Sequence, residues 1–231
     1  MAKYCIIGRN GFIGGALAKR LEDVSSTPTQ DTEVIIDMGS PVHPPFEENP
    51  DYYFKTLLER HLYFLSYGKY YVYPSSALVY EPKEIAFTHF KRAAEEIAKA
   101  YPNNLGLRIF PVYGPGENRT APSQWCEAMA KGDRPVVFGD GTQERDFIYI
   151  DDVVDAILRF IEERATGVRD VGKGSPVSFN DIVASINSIL GTNLEPEYRP
   201  IPAKYSAGIV CKEPVFTKFS MYDGLTRILG K

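Results

Sequence analysis

Lys3-Tyr4-Cys5-Ile6-Ile7-Gly8-Arg9-Asn10-Gly11-Phe12-Ile13-Gly14-Gly15-Ala16-Leu17-Ala18-Lys19-Arg20-Leu21-Glu22 contains a short apolar run, three glycines spaced by three, and an apolar pattern at helical spacing. Tyr4 to Ile7 reads as a strand, Gly8 to Gly14 as a turn, and Gly15 through Leu17 and Leu21 as a helix. Glycines allow the backbone to turn tightly and approach a phosphate, while the unbonded N-H groups at a helix start present donors and the positive dipole end. The segment is therefore a candidate cradle for the pyrophosphate of a dinucleotide, with Gly8, Arg9, Asn10, Gly11, Phe12, Ile13 and Gly14 as its cofactor-binding residues. The glycine spacing alone is a weak sign, and an ordinary strand-to-helix turn is the bland alternative. Its position between an apolar strand and a helix gives it weight.

Downstream, Val24 to Thr32 is rich in Ser, Thr and Pro and reads as loop, and Glu33 to Met38 reads as a strand. Gly39 to Pro50 is proline-rich and must be loop. Asp51 to Tyr67 carries Phe54, Leu57, Leu58, Leu62 and Leu65 at helical spacing, with Gly68 as a stop. A strand at Tyr70 to Tyr73, a loop at Pro74 to Lys83, a helix at Ala86 to Tyr101 and a strand at Leu105 to Phe110 follow. From Pro111 the pattern changes to frequent Pro and Gly around a helix at Gln124 to Ala130 and a strand at Pro135 to Phe138. Phe147 to Ile150 reads as a strand leading into a helix at Val153 to Glu163. Another strand at Val168 to Gly172 and helices at Ser178 to Leu190 and Tyr222 to Leu229 complete the pattern.

Strands alternating with helices imply a parallel sheet, because parallel neighbours need crossovers. The fold class is α/β, a Rossmann-like doubly wound parallel sheet with a small mixed lobe. Residues 1–110 and 146–175 are assigned to the dinucleotide-binding part and 111–145 and 176–231 to the lobe. With 231 residues, 44% hydrophobic and 24% charged, the chain suits one large domain or a main domain with a lobe. A formal net charge of -4 with scattered Lys and Arg gives no footprint for nucleic acid or an anionic membrane, so a small-molecule partner is expected. Cys5, Cys126 and Cys211 are an odd count without metal-ligand spacing, which implies free thiols in a reducing compartment and no metal site. No charged and apolar leader opens the sequence and no apolar run reaches membrane-spanning length, so a cytoplasmic location is expected.

Three further stretches carry chemistry. Ser75-Ser76-Ala77-Leu78-Val79-Tyr80 ends a strand, with Lys91 following on a helix. Leu107-Arg108-Ile109-Phe110-Pro111-Val112-Tyr113-Gly114-Pro115-Gly116 comes next. Then comes Phe138-Gly139-Asp140-Gly141-Thr142-Gln143-Glu144-Arg145-Asp146-Phe147-Ile148-Tyr149-Ile150-Asp151-Asp152-Val153-Val154-Asp155-Ala156. In this order they resemble the NAD-dependent epimerase/dehydratase family, the extended short-chain dehydrogenase/reductases that act on nucleotide sugars.

The resemblance runs from Lys3 to about Leu229. It implies NAD or NADP as cofactor and a nucleoside-diphosphate sugar as partner. It also implies hydride transfer at a sugar carbon, as isomerase, lyase or oxidoreductase chemistry, and a homodimer formed through Asp51 to Tyr67 and Ala86 to Tyr101. In that family a tyrosine takes a proton from a sugar hydroxyl, a lysine four residues later lowers its pKa and holds the nicotinamide ribose, and a serine orients the substrate. Ser76 matches the serine and Lys91 the lysine. Arg145 matches the arginine that binds the diphosphate, a role suited to a fixed charge with forked donors, and Tyr113 falls among the substrate-binding positions.

The tyrosine position is occupied by Phe87, which has no ionisable proton. Tyr80, in the same loop region as Ser76, is the candidate replacement among the catalytic residues, with an ordinary packing role as the alternative. His89 lies two residues from Lys91 and so faces elsewhere on the helix. Pro111 stands where relatives carry a substrate-facing asparagine, and the loop from Tyr80 to Phe87 is short. Relatives also have three strands between the first helix and the apolar helix, where this sequence has room for one, so two strands are missing. If Glu33 to Met38 is the second strand, Asp37 lies where an acidic residue binds the adenosine ribose. If it is the fourth, Met38, Gly39 and Ser40 line the cofactor. The fourth-strand reading is preferred.

Three functional readings remain open. One is an active enzyme with a relocated base, another a catalytically silent dinucleotide or nucleotide-sugar binding or regulatory homologue, and the third a scaffold that dimerises with an intact relative.

Overall fold

The structure is a computed structural model and describes residues 3–40, 49–81, 86–202 and 208–231. Most of the proline-rich stretch after Ser40 and part of the loop after Glu81 lie outside these residues. Along the chain, β1 (Tyr4–Ile7), α1 (Phe12–Ala18), β2 (Val24–Ser25) and β3 (Val34–Asp37) precede a helical run. That run consists of α2 (Pro50–Phe54), a π-helical turn (Lys55–Glu59) and α3 (Arg60–Ser66). Next come β4 (Tyr70–Ser76), a 3₁₀ turn (Ala77–Tyr80), α4 (Ala86–Ala98) and β5 (Asn104–Ile109). The second half holds β6 (Val112–Tyr113), α5 (Ala121–Ala130), β7 (Val136–Phe138), β8 (Glu144–Arg145), β9 (Ile148–Tyr149), α6 (Ile150–Glu162) and β10 (Gly167–Val171). Then β11 (Val177–Ser178), α7 (Phe179–Leu190), β12 (Glu197–Arg199) and α8 (Met221–Ile228) end it.

The chain divides into two compact units. The first comprises residues 1–109 and 154–171, and the second residues 110–153 and 172–231.

In the first unit six strands form one sheet in the order β10-β5-β4-β3-β1-β2, and every pairing is parallel. The central strands are apolar on both faces, as a doubly covered parallel sheet requires; all four residues of β3 are buried. Tyr71 and Tyr73 alternate onto the face that also holds Cys5, Ile35, Phe64, Leu65 and Ala98. These residues join β1, β3 and β4 to α3 and α4.

The sheet order decides between the two readings of β3. It lies between β1 and β4, pairing Tyr4 with Val34 on one side and Val34 with Tyr70 on the other. That is the place of the fourth strand in the 3-2-1-4-5-6 order. The structure also corrects the strand count. Val24 and Ser25, within the stretch expected to be loop, pair with Tyr4 and Cys5 on the outer side of β1. The second-strand position therefore survives as a two-residue stub, and among the described residues one strand position, the third, has no counterpart.

The first helix is shorter than the apolar pattern suggests and stops at Ala18 rather than carrying through Leu21. Gly14 and Gly15 are poor helix formers, and Leu21 closes the turn after the helix through its N-H to the Leu17 carbonyl at 3.2 Å.

In the second unit the strands are two or three residues long and pair two by two: β6 with β9, β7 with β12, and β8 with β11, the last antiparallel. Buried carboxylates hold its loops. Asp146, fully buried, accepts the N-H groups of Gly174 (2.9 Å) and Cys211 (2.9 Å), and Asp152 accepts that of Lys218 (2.7 Å). Ser178 caps α7 by accepting the Asp181 N-H, and Ser220 and Asp223 form a reciprocal capping box on α8. No helix among the described residues is long and apolar enough to cross a membrane.

Candidate functional site

In the first unit the glycine loop closes on the end of β3. Gly8 has φ +78, and a Cβ there would fall 2.7 Å from the Met38 carbonyl and the Gly39 nitrogen. A Cβ on Gly14 would fall 2.2 Å from the Gly8 oxygen. Both positions thus require glycine, the first for conformation and close approach and the second for helix-to-strand packing. The Gly11 N-H closes the turn on the Gly8 carbonyl (2.8 Å), and Arg9 and Asn10 are exposed at its tip. The loop and Met38-Gly39, which the sequence separates by thirty positions or so, are therefore in backbone contact.

Asp37, at the end of β3, is buried and already engaged. Its carboxylate takes two bonds from Arg60, at 2.9 and 3.0 Å, and one from the Gly39 N-H at 2.8 Å. Arg60 in turn donates to the Gly39 carbonyl at 3.1 Å. Asp37 therefore holds the β3 end to α3 and is not presented as a ribose-binding acid. On the outer side, β2 stops level with Cys5, while β1 continues through Ile6 to Ile7.

Lys91, on α4, reaches the next part of the same edge. Its Nζ donates to the Ser40 Oγ at 2.8 Å and to the Pro74 carbonyl at 2.6 Å. It also stands 5.4 Å from the centre of the Phe87 ring, one helical turn earlier. Burial pushes the amine down to about 7, and the nearby Arg60 cation acts in the same direction, against the carboxylates of Asp37 and Glu95. His61, on α3, is likewise buried and lowered to about 4, chiefly by desolvation. The structure thus brings Lys91, Phe87 and Ser40 together.

Ser76 accepts the Leu78 N-H at 3.2 Å and starts the 3₁₀ turn. Tyr80 ends that turn, and its hydroxyl donates to the Asp170 carboxylate (2.8 Å) and accepts from Arg108 (2.7 Å). Those partners belong to β10 and β5, whereas Lys91 bonds at β4 and beyond the end of β3. The Tyr80 phenol is raised by burial and by its bond to Asp170, the opposite of an activated base. Ser75, whose neighbour Ser76 was the one singled out from sequence, donates to Glu95, and Glu95 is also held by Arg108 at 2.6 and 2.9 Å. This network was not foreseen, because its members are far apart in sequence and belong to no motif.

In the second unit Arg145 is nearly buried and lines a cavity of 310 Å³ with Arg119, Gln124, Trp125, Phe138 and Phe179, among others. Its guanidinium carbon lies 5.5 Å from the Phe179 ring centre, and Nη1 donates to the Glu144 carbonyl at 2.7 Å. Cations beside aromatic faces suit a ligand with a phosphate and a flat ring. Arg119 and Trp125 were missed from sequence; their sign was an arginine just after a Pro-Gly turn and the chain's single tryptophan. Tyr113 is elsewhere: its hydroxyl donates to the Ser220 carbonyl at 3.3 Å, and Gly224 of α8 is closed against it.

Comparison with known proteins follows the same pattern. Residues 65–172 match the model of the NAD dependent epimerase/dehydratase family. The chain is 31% identical over 139 residues to GDP-mannose 3,5-epimerase 1 of Oryza sativa subsp. indica, covering 55% of this chain and 36% of that protein. It is also 31% identical over 172 residues to ADP-L-glycero-D-manno-heptose-6-epimerase of Cupriavidus pinatubonensis, covering 62% and 51%. These matches span about half or less of the length of those relatives. Among solved structures, UDP-N-acetylglucosamine 4-epimerase from Methanobrevibacter ruminantium M1, in complex with UDP-N-acetylmuramic acid, superposes with a TM-score of 0.85. The identity is 18%, with 99% of this chain and 97% of that one covered. A tyrosine-to-phenylalanine variant of UDP-glucuronic acid 4-epimerase from Bacillus cereus, in complex with UDP-4-deoxy-4-fluoro-glucuronic acid and NAD, gives 0.82 at 19% identity, covering 98% of each chain. The fold is that of these enzymes, and residues 65–172 are similar to the NAD dependent epimerase/dehydratase family.

Proposed function

We propose that the protein is a nucleotide-sugar epimerase/dehydratase homologue that binds a nicotinamide dinucleotide and a nucleoside-diphosphate sugar, and whose proton-transfer step is impaired. The observation that carries this is the Lys91 site, where lysine, Ser40 and the position-87 ring are assembled with phenylalanine in place of an acid-base group. The residues fit the dinucleotide on its phosphate and nicotinamide-ribose sides. Gly8 to Gly14 would take the pyrophosphate, Met38, Gly39 and Ser40 the adjoining edge, and Lys91 the ribose hydroxyls. On the adenosine side the stub β2 and the engaged Asp37 offer less, which supports weak binding. A dinucleotide held there would supply hydride-transfer chemistry. In the second unit Arg145 would bind the diphosphate of the sugar nucleotide, with Arg119 beside it and Trp125 and Phe179 against the base.

Ser76 is assigned to the sugar. Tyr80 is a poor substitute for the missing tyrosine, because its hydroxyl is held by Asp170 and Arg108. A binding role is in keeping with the B. cereus variant, which carries a Tyr-to-Phe exchange and is in complex with both a sugar nucleotide and NAD. Phe54, Leu62 and Tyr63, exposed on the α2 to α3 run, support a homodimer through that surface. Three free buried cysteines suit a reducing, cytoplasmic setting.

The test is titration with NAD, NADP, UDP-glucose and GDP-mannose, followed by heat unfolding, with Phe87→Tyr assayed beside the parent. Ligand-induced stabilisation of both proteins is expected, with turnover about 10² to 10⁴ higher in the tyrosine variant. Parent turnover that disappears in Tyr80→Phe would establish a relocated base instead. If no dinucleotide or sugar nucleotide stabilises either protein, the ligand assignment is wrong.

A further inference from the structure

The side chain of Tyr73 crosses from β4 over β5. A Cβ on Gly106 would fall 2.6 Å from the Tyr73 hydroxyl oxygen and 2.7 Å from its Cζ, so the ring occupies the space a side chain at 106 would need. The His61 ring packs against it edge-on at 4.6 Å. Tyr73 is 2% exposed overall, and its hydroxyl meets the surface of a cavity with no protein partner among the described residues. The neighbouring polar groups are paired within the protein: Tyr71 with His61, and Glu95 with Ser75 and Arg108.

The hydroxyl borders a cavity of 460 Å³ lined by Tyr73, Glu95, Tyr101, Asn104, Thr166 and Gly167, among others. Asn104 begins β5 and Gly167 begins β10, so the cavity lies at the amino ends of these strands. The candidate cofactor residues follow the carboxyl ends of β1 and β3, so the two sites are at opposite edges of the sheet. One water needs about 30 Å³, and small-molecule sites span about 300 to 1,000 Å³, so the space is of ligand size.

Two polar atoms define what it would accept. Burial and the Glu95 carboxylate raise the Tyr73 phenol above its ordinary value, so it stays protonated and offers a donor to the cavity. Asn104 spends its amide N-H groups on the carbonyls of Ala98 (2.9 Å) and Tyr101 (2.7 Å), leaving Oδ1 as an acceptor with no donor among the described residues. The aromatic rings of Tyr73 and Tyr101 provide apolar surface. The two charged lining residues are already paired, Glu95 with Arg108 and Lys99 with Glu96, so the cavity suits a neutral ligand.

We propose that this cavity is a second binding site, independent of the function proposed above, for a neutral planar ring bearing an amide or lactam. The ligand carbonyl accepts from Tyr73 and its N-H donates to Asn104.

The test uses 2-pyridone and benzamide, titrated into ¹⁵N-labelled protein saturated with NAD and UDP-glucose. Saturable shifts of the Gly106, Gly167 and Val168 amides are expected. Tyr73→Phe, which keeps the ring and removes a hydroxyl without a protein partner, is expected to fold with unchanged or higher thermal stability and to bind about five- to tenfold more weakly, as loss of one hydrogen bond implies. Thr166→Phe, at an exposed position of the rim, should abolish the shifts by filling the cavity. Absence of shifts at these amides with both probes, equal affinity in folded Tyr73→Phe, or undiminished binding in Thr166→Phe would each overturn the proposal.

Discussion

The amine of Lys91 is almost wholly withdrawn from water and has two neutral acceptors, Ser40 and Pro74. An ammonium there loses hydration that these bonds only partly replace, hence its fall to about 7. Unfolded, the same lysine titrates near 10.5. Between those values the unfolded chain binds more proton than the fold, so stability rises as pH climbs from 7 towards 10.5 and levels off below 7. The expected slope is up to about 1.4 kcal/mol per pH unit. Urea unfolding of the parent and of Lys91→Met from pH 6 to 10 checks this, because the parent's stability relative to the variant should grow across the range. Parallel profiles would show that Lys91 keeps its ordinary pKa in the fold. The same desolvation bears on function. In the proposed role, a lysine whose charge is so weakened near pH 7 would hold a ribose through hydrogen bonds more than through fixed charge.

At the scale of elements, the end of β3 is tied to α3 by Asp37 and Arg60, which also clasp Gly39 through both its N-H and its carbonyl. The loop that meets Gly8 is thereby set by a side-chain pair 23 residues apart. Arg60→Ala would leave a buried carboxylate without its charged partner, and is expected to destabilise the protein by about 3 to 5 kcal/mol. A smaller loss is expected for Asp37→Asn with Arg60→Met, where neither charge is left stranded; the thermal midpoints of the two variants test the difference. Gly14→Ala acts on the neighbouring junction. With its Cβ 2.2 Å from the Gly8 oxygen, α1 must move from β1, at a cost of about 1 to 3 kcal/mol and with weaker dinucleotide binding by calorimetry. Unchanged affinity in a folded Gly14→Ala protein would show that the glycine loop does not carry the pyrophosphate. The loop was legible in sequence because strand, glycines and helix are contiguous. The clasp was not, since nothing local joins Asp37 to Arg60. The stub β2 escaped notice for a related reason: two residues show no alternation, and their strand identity comes only from pairing with Tyr4 and Cys5.

For the molecule as a whole, composition and motif order carry the fold class, because a parallel sheet imposes apolar strands and helical crossovers along the entire first unit. They say less about the second unit, where two- and three-residue strands are defined by loops held on Asp146 and Asp152 rather than by periodicity. Association belongs to this scale too. The α2 to α3 run buries Tyr53, Leu57, Phe64 and Leu65 yet leaves Phe54 51%, Leu62 40%, Tyr63 55% and Tyr67 37% exposed. A helix apolar on two faces has a second surface to cover. At 25.9 kDa for one chain, sedimentation should show a species of about twice that mass, as closed two-fold assembly is the commonest oligomer. Placing charge on the outer face alone separates association from folding. Tyr63→Lys with Phe54→Glu should yield a monomer with the parent's helical content, since neither side chain belongs to the buried core. Retention of the dimer by that variant would locate the contact on another surface, and a monomeric parent would leave the exposed aromatic rings to a different partner.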